Sequence, residues 1–216
     1  MDINSAKQLE EATETQSNFI DLKDGDKVTL RLVSGIKGVK EHNIKVGGKN
    51  RTIICPEAMD EWEAQEESRP VNKAIKCPVC KSPNMPDRKV STKFLAVAID
   101  DKGKVGVLKK GSTVYKTITE LMEAGYKLDE TPVIISRKGS TMNDTEYSVI
   151  PTKGKDSPLT EAEQAAVDTF KEGYDIDQYT KPMSFENIER KLRGEKPVFE
   201  NEVKADDEIK PEEINL

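Results

Sequence analysis

The chain has one histidine, His42, and three cysteines, Cys55, Cys77 and Cys80, and no other feature constrains its fold as much as their placement. Cys77-Pro78-Val79-Cys80 is a two-residue-spaced pair, the knuckle in which neighbouring backbone amides donate to the sulfurs. An odd number of thiols argues against a disulfide framework and leaves metal binding or free thiol chemistry. Zinc takes four soft or borderline ligands, and these four residues are all the chain offers. The competing reading makes Cys55 a buried thiol, His42 a surface residue and Cys77/Cys80 a redox couple.

His42 and Cys55 flank Gly47-Gly48-Lys49-Asn50, a hairpin signal. With Gly48-Lys49 as a two-residue type II′ loop, His42 falls directly opposite Cys55 on one face, with Cβ atoms about 4.5 to 5.5 Å apart. The knuckle then has only to fold back over the hairpin to close a tetrahedral site. No ligand position is left open, so the expected cofactor is one structural Zn2+, contributing on the order of 10 kcal/mol to folding. Such an ion matters in this composition: 35% of residues are apolar, 5% aromatic and 34% charged, which implies a modest core.

A length of 216 residues suits one domain with appendages or two small ones, and excludes a large multidomain enzyme. No run of eighteen apolar residues occurs, and residues 1–11 lack the basic start and apolar centre of a signal peptide. A cytoplasmic protein without a membrane partner is expected.

The net charge of -6 is unevenly spread. Residues 27–155 hold a surplus of 8 positive charges, whereas 1–26 and 200–216 are each acidic by 5 and 156–199 by 4. A basic middle between acidic ends suits a polyanion site for which the ends compete, although charge runs often do no more than solvate.

Alternating apolar residues predict strands over 27–33, 39–46, 51–55, 93–99, 104–109, 131–137 and 145–150, some five or six of them forming the sheet. Helices are predicted over 57–68, from a Ser112 cap to Gly125, from a Thr160/Glu163 capping box to about Lys171, and over 184–193 ending at Gly194. A marginal helix is predicted over 5–14. The expected fold class is mainly β: a small antiparallel OB-like barrel with an inserted zinc-ribbon or knuckle subdomain, followed by short helices and a disordered acidic tail. The corresponding segments are an N-terminal arm (1–26), a zinc-containing nucleic-acid-binding core (27–155), a helical segment (156–199) and the tail (200–216).

Within that core, Leu95, Val97 and Ile99 of one strand are assigned to the interior. Phe94, Ala96 and Ala98 share its other face, where small alanines beside an aromatic leave room for a base. Arg88, Lys89 and Lys93 supply cations at the strand entrance, with Arg31, Arg137 and Lys138 on other strands. Lys37, Lys40, Lys109 and Lys110 are weaker phosphate candidates. Tyr147, Tyr115 and Trp62 complete the stacking set, although aromatics on helices, as Trp62 and Tyr115 are predicted to be, more often fill interiors.

On His42, Cys55 and the Cys77/Cys80 pair within a barrel, the basic Ser/Thr-containing run 88–93 opening the Phe94 strand, and the acidic end, the chain resembles the single-stranded DNA-binding, helix-destabilising proteins of T-even-type tailed bacteriophages. The resemblance covers about residues 20–150 and the tail. It implies a zinc-stabilised barrel with His42, Cys55, Cys77 and Cys80 as ligands, and a cleft holding single-stranded DNA without sequence preference during replication, recombination and repair in an infected bacterial cell. It further implies an acidic tail, here Asp206, Asp207, Glu208, Glu212, Glu213, Ile214 and Leu216, that recruits replication and recombination proteins and covers the cleft when DNA is absent. Self-association on DNA belongs to the same pattern. The chain departs from it in the helical stretch between Cys55 and Cys77 and in an acidic rather than basic N-terminal arm.

Two other classes compete. A zinc nucleobase deaminase needs a glutamate two residues after its histidine, and Ile44 stands there; with the sole histidine on zinc, no nucleophile/histidine pair remains either, so no enzymatic activity is expected. A zinc-ribbon adaptor that binds proteins and not DNA would use the same metal site, and RNA remains open as the ligand.

Overall fold

The computed structural model describes residues 18–82, 88–141, 144–152, 157–196 and 198. The expected helix over 5–14 and the expected disordered tail over 200–216, with Asp206, Asp207, Glu208, Glu212, Glu213, Ile214 and Leu216, lie outside these residues.

The chain is mainly β. Its seven strands are β1 (Lys27–Leu32), β2 (Lys37–Val46), β3 (Lys49–Ile54), β4 (Val90–Asp100), β5 (Val105–Gly111), β6 (Val133–Lys138) and β7 (Glu146–Pro151). The described helices are α1 (Pro56–Glu66), α2 (Pro78–Lys81), α3 (Ser112–Glu123), α4 (Glu161–Gly173), α5 (Ile176–Thr180) and α6 (Phe185–Leu192). Among the described residues, no helix is long and apolar enough to cross a membrane. The chain divides into two compact units, residues 1–39 with 92–180 and residues 40–91 with 181–216. The helical segment expected as one piece over 156–199 is therefore shared between them.

In the first unit the strand order is β5-β4-β1-β6-β7, antiparallel at each ladder. β1 follows its sequence pattern, with Leu30 and Leu32 buried and Arg31 on the other face. Leu30 and Leu32 join Ala96, Ala98, Leu108, Val133 and Ile135 in the core, and α3 packs Val114, Tyr115 and Ile118 onto them. α3 lies against both β5 and β7. Its N-cap is Gly111 rather than Ser112, which is the first helical residue and makes no side-chain cap. The Thr160/Glu163 capping box forms as expected and opens α4.

The division of β4 into a core face and a base-binding face is overturned. Ala96 and Ala98 are as buried as Leu95, Val97 and Ile99, because α3 covers the alanine face. The space beside the alanines is filled by Tyr115 and Ile118.

The second unit is built on the β2-β3 hairpin. Gly47 and Gly48 have φ of 56° and 77°, the two positive values a type I′ turn requires. The loop is thus Gly47-Gly48, with Val46 paired to Lys49 and His42 paired to Ile53. The expected Gly48-Lys49 loop, and with it the direct pairing of His42 to Cys55, is corrected by two residues of register. Because side chains alternate with period two, the shift keeps both ligands on one face.

Candidate functional site

Each thiol and the imidazole is positioned by a different local device in the second unit. His42 projects from the middle of β2 and is fully buried. Cys55 lies just past β3, where its amide donates to the Lys40 carbonyl at 2.7 Å, which makes it the diagonal neighbour of His42 across the ladder. Cys55 is also the N-cap of α1: its Sγ accepts from the Ala58 amide at 3.4 Å, and Pro56 occupies the first turn, where a missing N–H costs nothing. Cys77 is the N-cap of the single-turn α2, and Cys80 lies within that turn. Glu57, in the first turn of α1, accepts the Cys77 amide at 3.2 Å and ties the returning chain to the helix.

His42 Nε2 stands 3.5 Å from Cys77 Sγ and 3.4 Å from Cys80 Sγ, and Cys55 Sγ is 3.6 Å from Cys80 Sγ. All four ligand atoms lie within 4.8 Å of one another. A tetrahedral zinc with Zn–S about 2.3 Å and Zn–N about 2.0 to 2.1 Å sets neighbouring donors about 3.5 to 3.8 Å apart. The donor set and spacing therefore fit one metal ion and are consistent with zinc. Ile44, Ile53, Val79 and Ile188 wall the cluster in. With no cation the buried sulfurs compete for ionisation: the hydrogen bond from Cys55 lowers the Cys77 thiol, while that bond and burial raise Cys55. A bound dication removes that conflict by stabilising all three thiolates.

Sequence pattern did not reveal the role of α6. Ser184 caps it as expected, accepting from the Asn187 amide, but Ile188 and Leu192, four residues apart, pack on the metal cluster and Lys191 donates to the Thr52 carbonyl. The last helix of the segment assigned to a separate helical lobe thus closes the metal centre. Its only signal was that i, i+4 apolar pair.

In the first unit, five of the residues singled out as nucleic-acid contacts converge. Lys93, Lys109, Lys110, Arg137 and Tyr147 line a groove of about 790 Å³, joined by Thr113 and Thr145 and by one acid, Glu146. The register places Lys93 opposite Gly111 and Arg137 opposite Tyr147. Lys110 is only 8% exposed and its Nζ lies 5.5 Å from the centre of the Tyr147 ring. Burial, with Arg137 and Lys93 nearby, pulls its ammonium below the ordinary lysine range, partly offset by Asp21. Arg137 is oriented by donating to the Leu22 carbonyl and to Thr145 Oγ1. Lys109 donates to Tyr179 Oη at 3.1 Å and lies over the Phe19 and Tyr179 rings.

Other candidates are placed elsewhere. Arg31 is paired with Glu163 and Lys37 with Asp177, the latter at 3.0 Å, so both are engaged by the segment carrying α4 and α5. Tyr115 is corrected from stacking candidate to core: it is 2% exposed and its hydroxyl donates to the Leu108 carbonyl at 2.6 Å. Phe94 is half-buried and packs against Tyr115 with ring centres 5.6 Å apart. Lys138 is exposed at the end of β6. Lys40, Trp62, Arg88 and Lys89 belong to the second unit, where Lys40 Nζ sits 4.5 Å over the Trp62 ring and Arg88 and Lys89 are exposed. Thr113 and Thr145 escaped notice because lone threonines carry no spacing signal.

No protein-family model matches the sequence, and no curated protein matches it. The functional reading therefore stands on the groove and the metal cluster.

Proposed function

We propose that the chain is a non-catalytic protein that binds single-stranded DNA without strong sequence preference, its β-rich core acting as an OB-like barrel and one structural zinc ordering the hairpin unit. The observation that carries this reading is the groove whose lining brings Lys93, Lys109, Lys110 and Arg137 together with Tyr147. Four cations beside one half-buried aromatic match the two contacts an unpaired strand offers everywhere, phosphates and base faces. A duplex hides its base faces, so stacking on Tyr147 selects single strands. The phage-type resemblance supports roles in replication, recombination and repair, with the acidic segment after residue 200 recruiting partner proteins.

The metal fits this role as scaffold. Four protein ligands fill a tetrahedral shell and leave no position for a substrate, which disfavours hydrolytic chemistry at the ion. Bound there, zinc supplies a cross-link between β2, the start of α1 and the knuckle.

Titration of oligo(dT) and a duplex of equal length across a range of salt tests the reading. Tight, salt-sensitive binding that favours the single strand is expected. Weak binding that is flat in salt would instead assign the chain to the adaptor class, with its partners among proteins.

A further inference from the structure

Residues 18–22 run beside β5 as a strap. The Asn18 carbonyl accepts the Val107 amide at 2.6 Å, the Ile20 amide donates to the Val107 carbonyl at 2.9 Å, and Phe19 forms a single parallel bridge to Val107. Gly106 makes this close approach possible: a Cβ there would lie 3.1 Å from the Asn18 carbonyl oxygen and 3.1 Å from Ile20 Cγ1. Ile20 and Leu22 then pack on the core of the first unit.

Two other carbonyls of the strap go to cations of the basic groove. Lys110 Nζ lies 3.5 Å from the Ile20 oxygen, and Arg137 Nη1 donates to the Leu22 oxygen at 2.6 Å. The centre of the Phe19 ring is 5.9 Å from Lys109 Nζ. Three of the four groove cations are therefore in touch with the strap, whereas Lys93 is placed by β4, opposite Gly111 of β5.

The chemistry of these partners matters. Arg31 and Lys37 are held by the carboxylates of Glu163 and Asp177, which cancel much of their charge. A backbone carbonyl orients a cation and leaves its net charge for a ligand. Lys110 and Arg137 are held in this second way, by the strap and, for Arg137, by Thr145 Oγ1. A long cationic side chain that folding has already fixed loses less rotamer freedom when a phosphate arrives. Burial disfavours the Lys110 ammonium, and the strap also brings the Asp21 carboxylate near enough to support it.

We propose that residues 18–22 are a positioning element of the basic groove: the Ile20 and Leu22 carbonyls hold Lys110 and Arg137 in the orientation that receives phosphates, and Gly106 gives the strap its seat. The inference rests on the single-strand-binding reading and adds that main-chain groups outside the groove set its affinity.

Two variants of the full chain lift the strap by different means. Gly106→Val puts a side chain where the strap lies, and Ile20→Pro removes the amide that donates to Val107. Oligo(dT) affinity is measured in each, alone and combined with Lys110→Gln or Lys93→Gln, at a temperature where melting curves show the variants folded. Lifting the strap should weaken binding about tenfold. In the parent, Lys110→Gln should also cost about tenfold; with the strap lifted it should cost less than about twofold more, while Lys93→Gln keeps its full effect. Tyr115→Phe, which removes a hydrogen bond in the same core, should leave the cost of Lys110→Gln at its parental value. Should Gly106→Val fail to fold, Ile20→Pro, outside the β1–β7 ladders, carries the same test. Parental affinity in the strap variants overturns the proposal and leaves the single-strand reading standing, as does an undiminished cost of Lys110→Gln. Equal loss of both glutamine effects overturns it too, by showing general damage to the groove. A parent that does not bind oligo(dT) overturns the reading and the proposal with it.

Discussion

His42 faces Ile53 across the β2-β3 ladder and meets Cys55 diagonally, through a tight turn whose two residues are both left-handed glycines. A Cβ on Gly48 would meet no atom within 4 Å, so the cost of replacing it is backbone strain alone. Gly48→Ala at φ 77° should lower stability by about 1 to 2 kcal/mol, and Gly47→Asn much less, since asparagine tolerates the first position of a type I′ turn. Chemical denaturation of the two variants measures the difference.

Glu57 is not a metal ligand, yet it holds the amide of one. Glu57→Ala removes the acceptor of the Cys77 N–H and should weaken metal retention by about 10- to 100-fold, the usual cost of losing an outer support to a ligand. Competition against a chromogenic chelator reads this directly. The same titration on the parent should yield one metal ion per chain, with a fall in melting temperature on its removal.

Two tyrosines on opposite sides of the structural argument should separate stability from binding. Tyr115→Phe deletes a buried donor to Leu108 and should destabilise by about 1 to 3 kcal/mol while leaving oligo(dT) affinity unchanged. Tyr147→Ala should lose about 1 to 3 kcal/mol of affinity per stacked base and also melt lower, since the half-buried ring packs against the core, so its affinity is read at a temperature where the variant is folded. Paired melting curves and anisotropy titrations decide both.

Much of this was readable from residue types. The strands follow from alternation, the Thr160/Glu163 box from its spacing, and the four metal ligands from there being no others to choose. The hairpin register was not, because Gly47, Gly48 and Lys49 allow two loops differing by two residues, and the choice rests on backbone angles that both glycines permit. Nor was the covering of the Ala96/Ala98 face, since a small residue on a strand reads equally well as space for a ligand or for a helix. The pairing of Arg31 and Lys37 was hidden for a related reason: their partners, Glu163 and Asp177, lie more than a hundred residues away, beyond the reach of any local pattern.

Lys110 makes pH a probe of the groove. Its pKa in the folded chain lies below the ordinary lysine value, so the unfolded state binds more protons between the two, and this residue's contribution to stability rises with pH across that interval. Phosphate binding needs the charged form, so oligo(dT) affinity should fall across the same interval. In Lys110→Gln both dependences should flatten. Parallel pH series of melting and affinity test the opposite signs.

The groove's four cations predict a slope of about -3 for log affinity against log salt with oligo(dT), at roughly 0.7 per phosphate neutralised. The decisive measurement is that slope in the parent and in the Lys93→Gln/Lys110→Gln double variant. The account predicts a slope shallower by about 1.4 in the variant, with folding retained. An unchanged slope would contradict it and place the nucleic acid, if bound at all, on another surface.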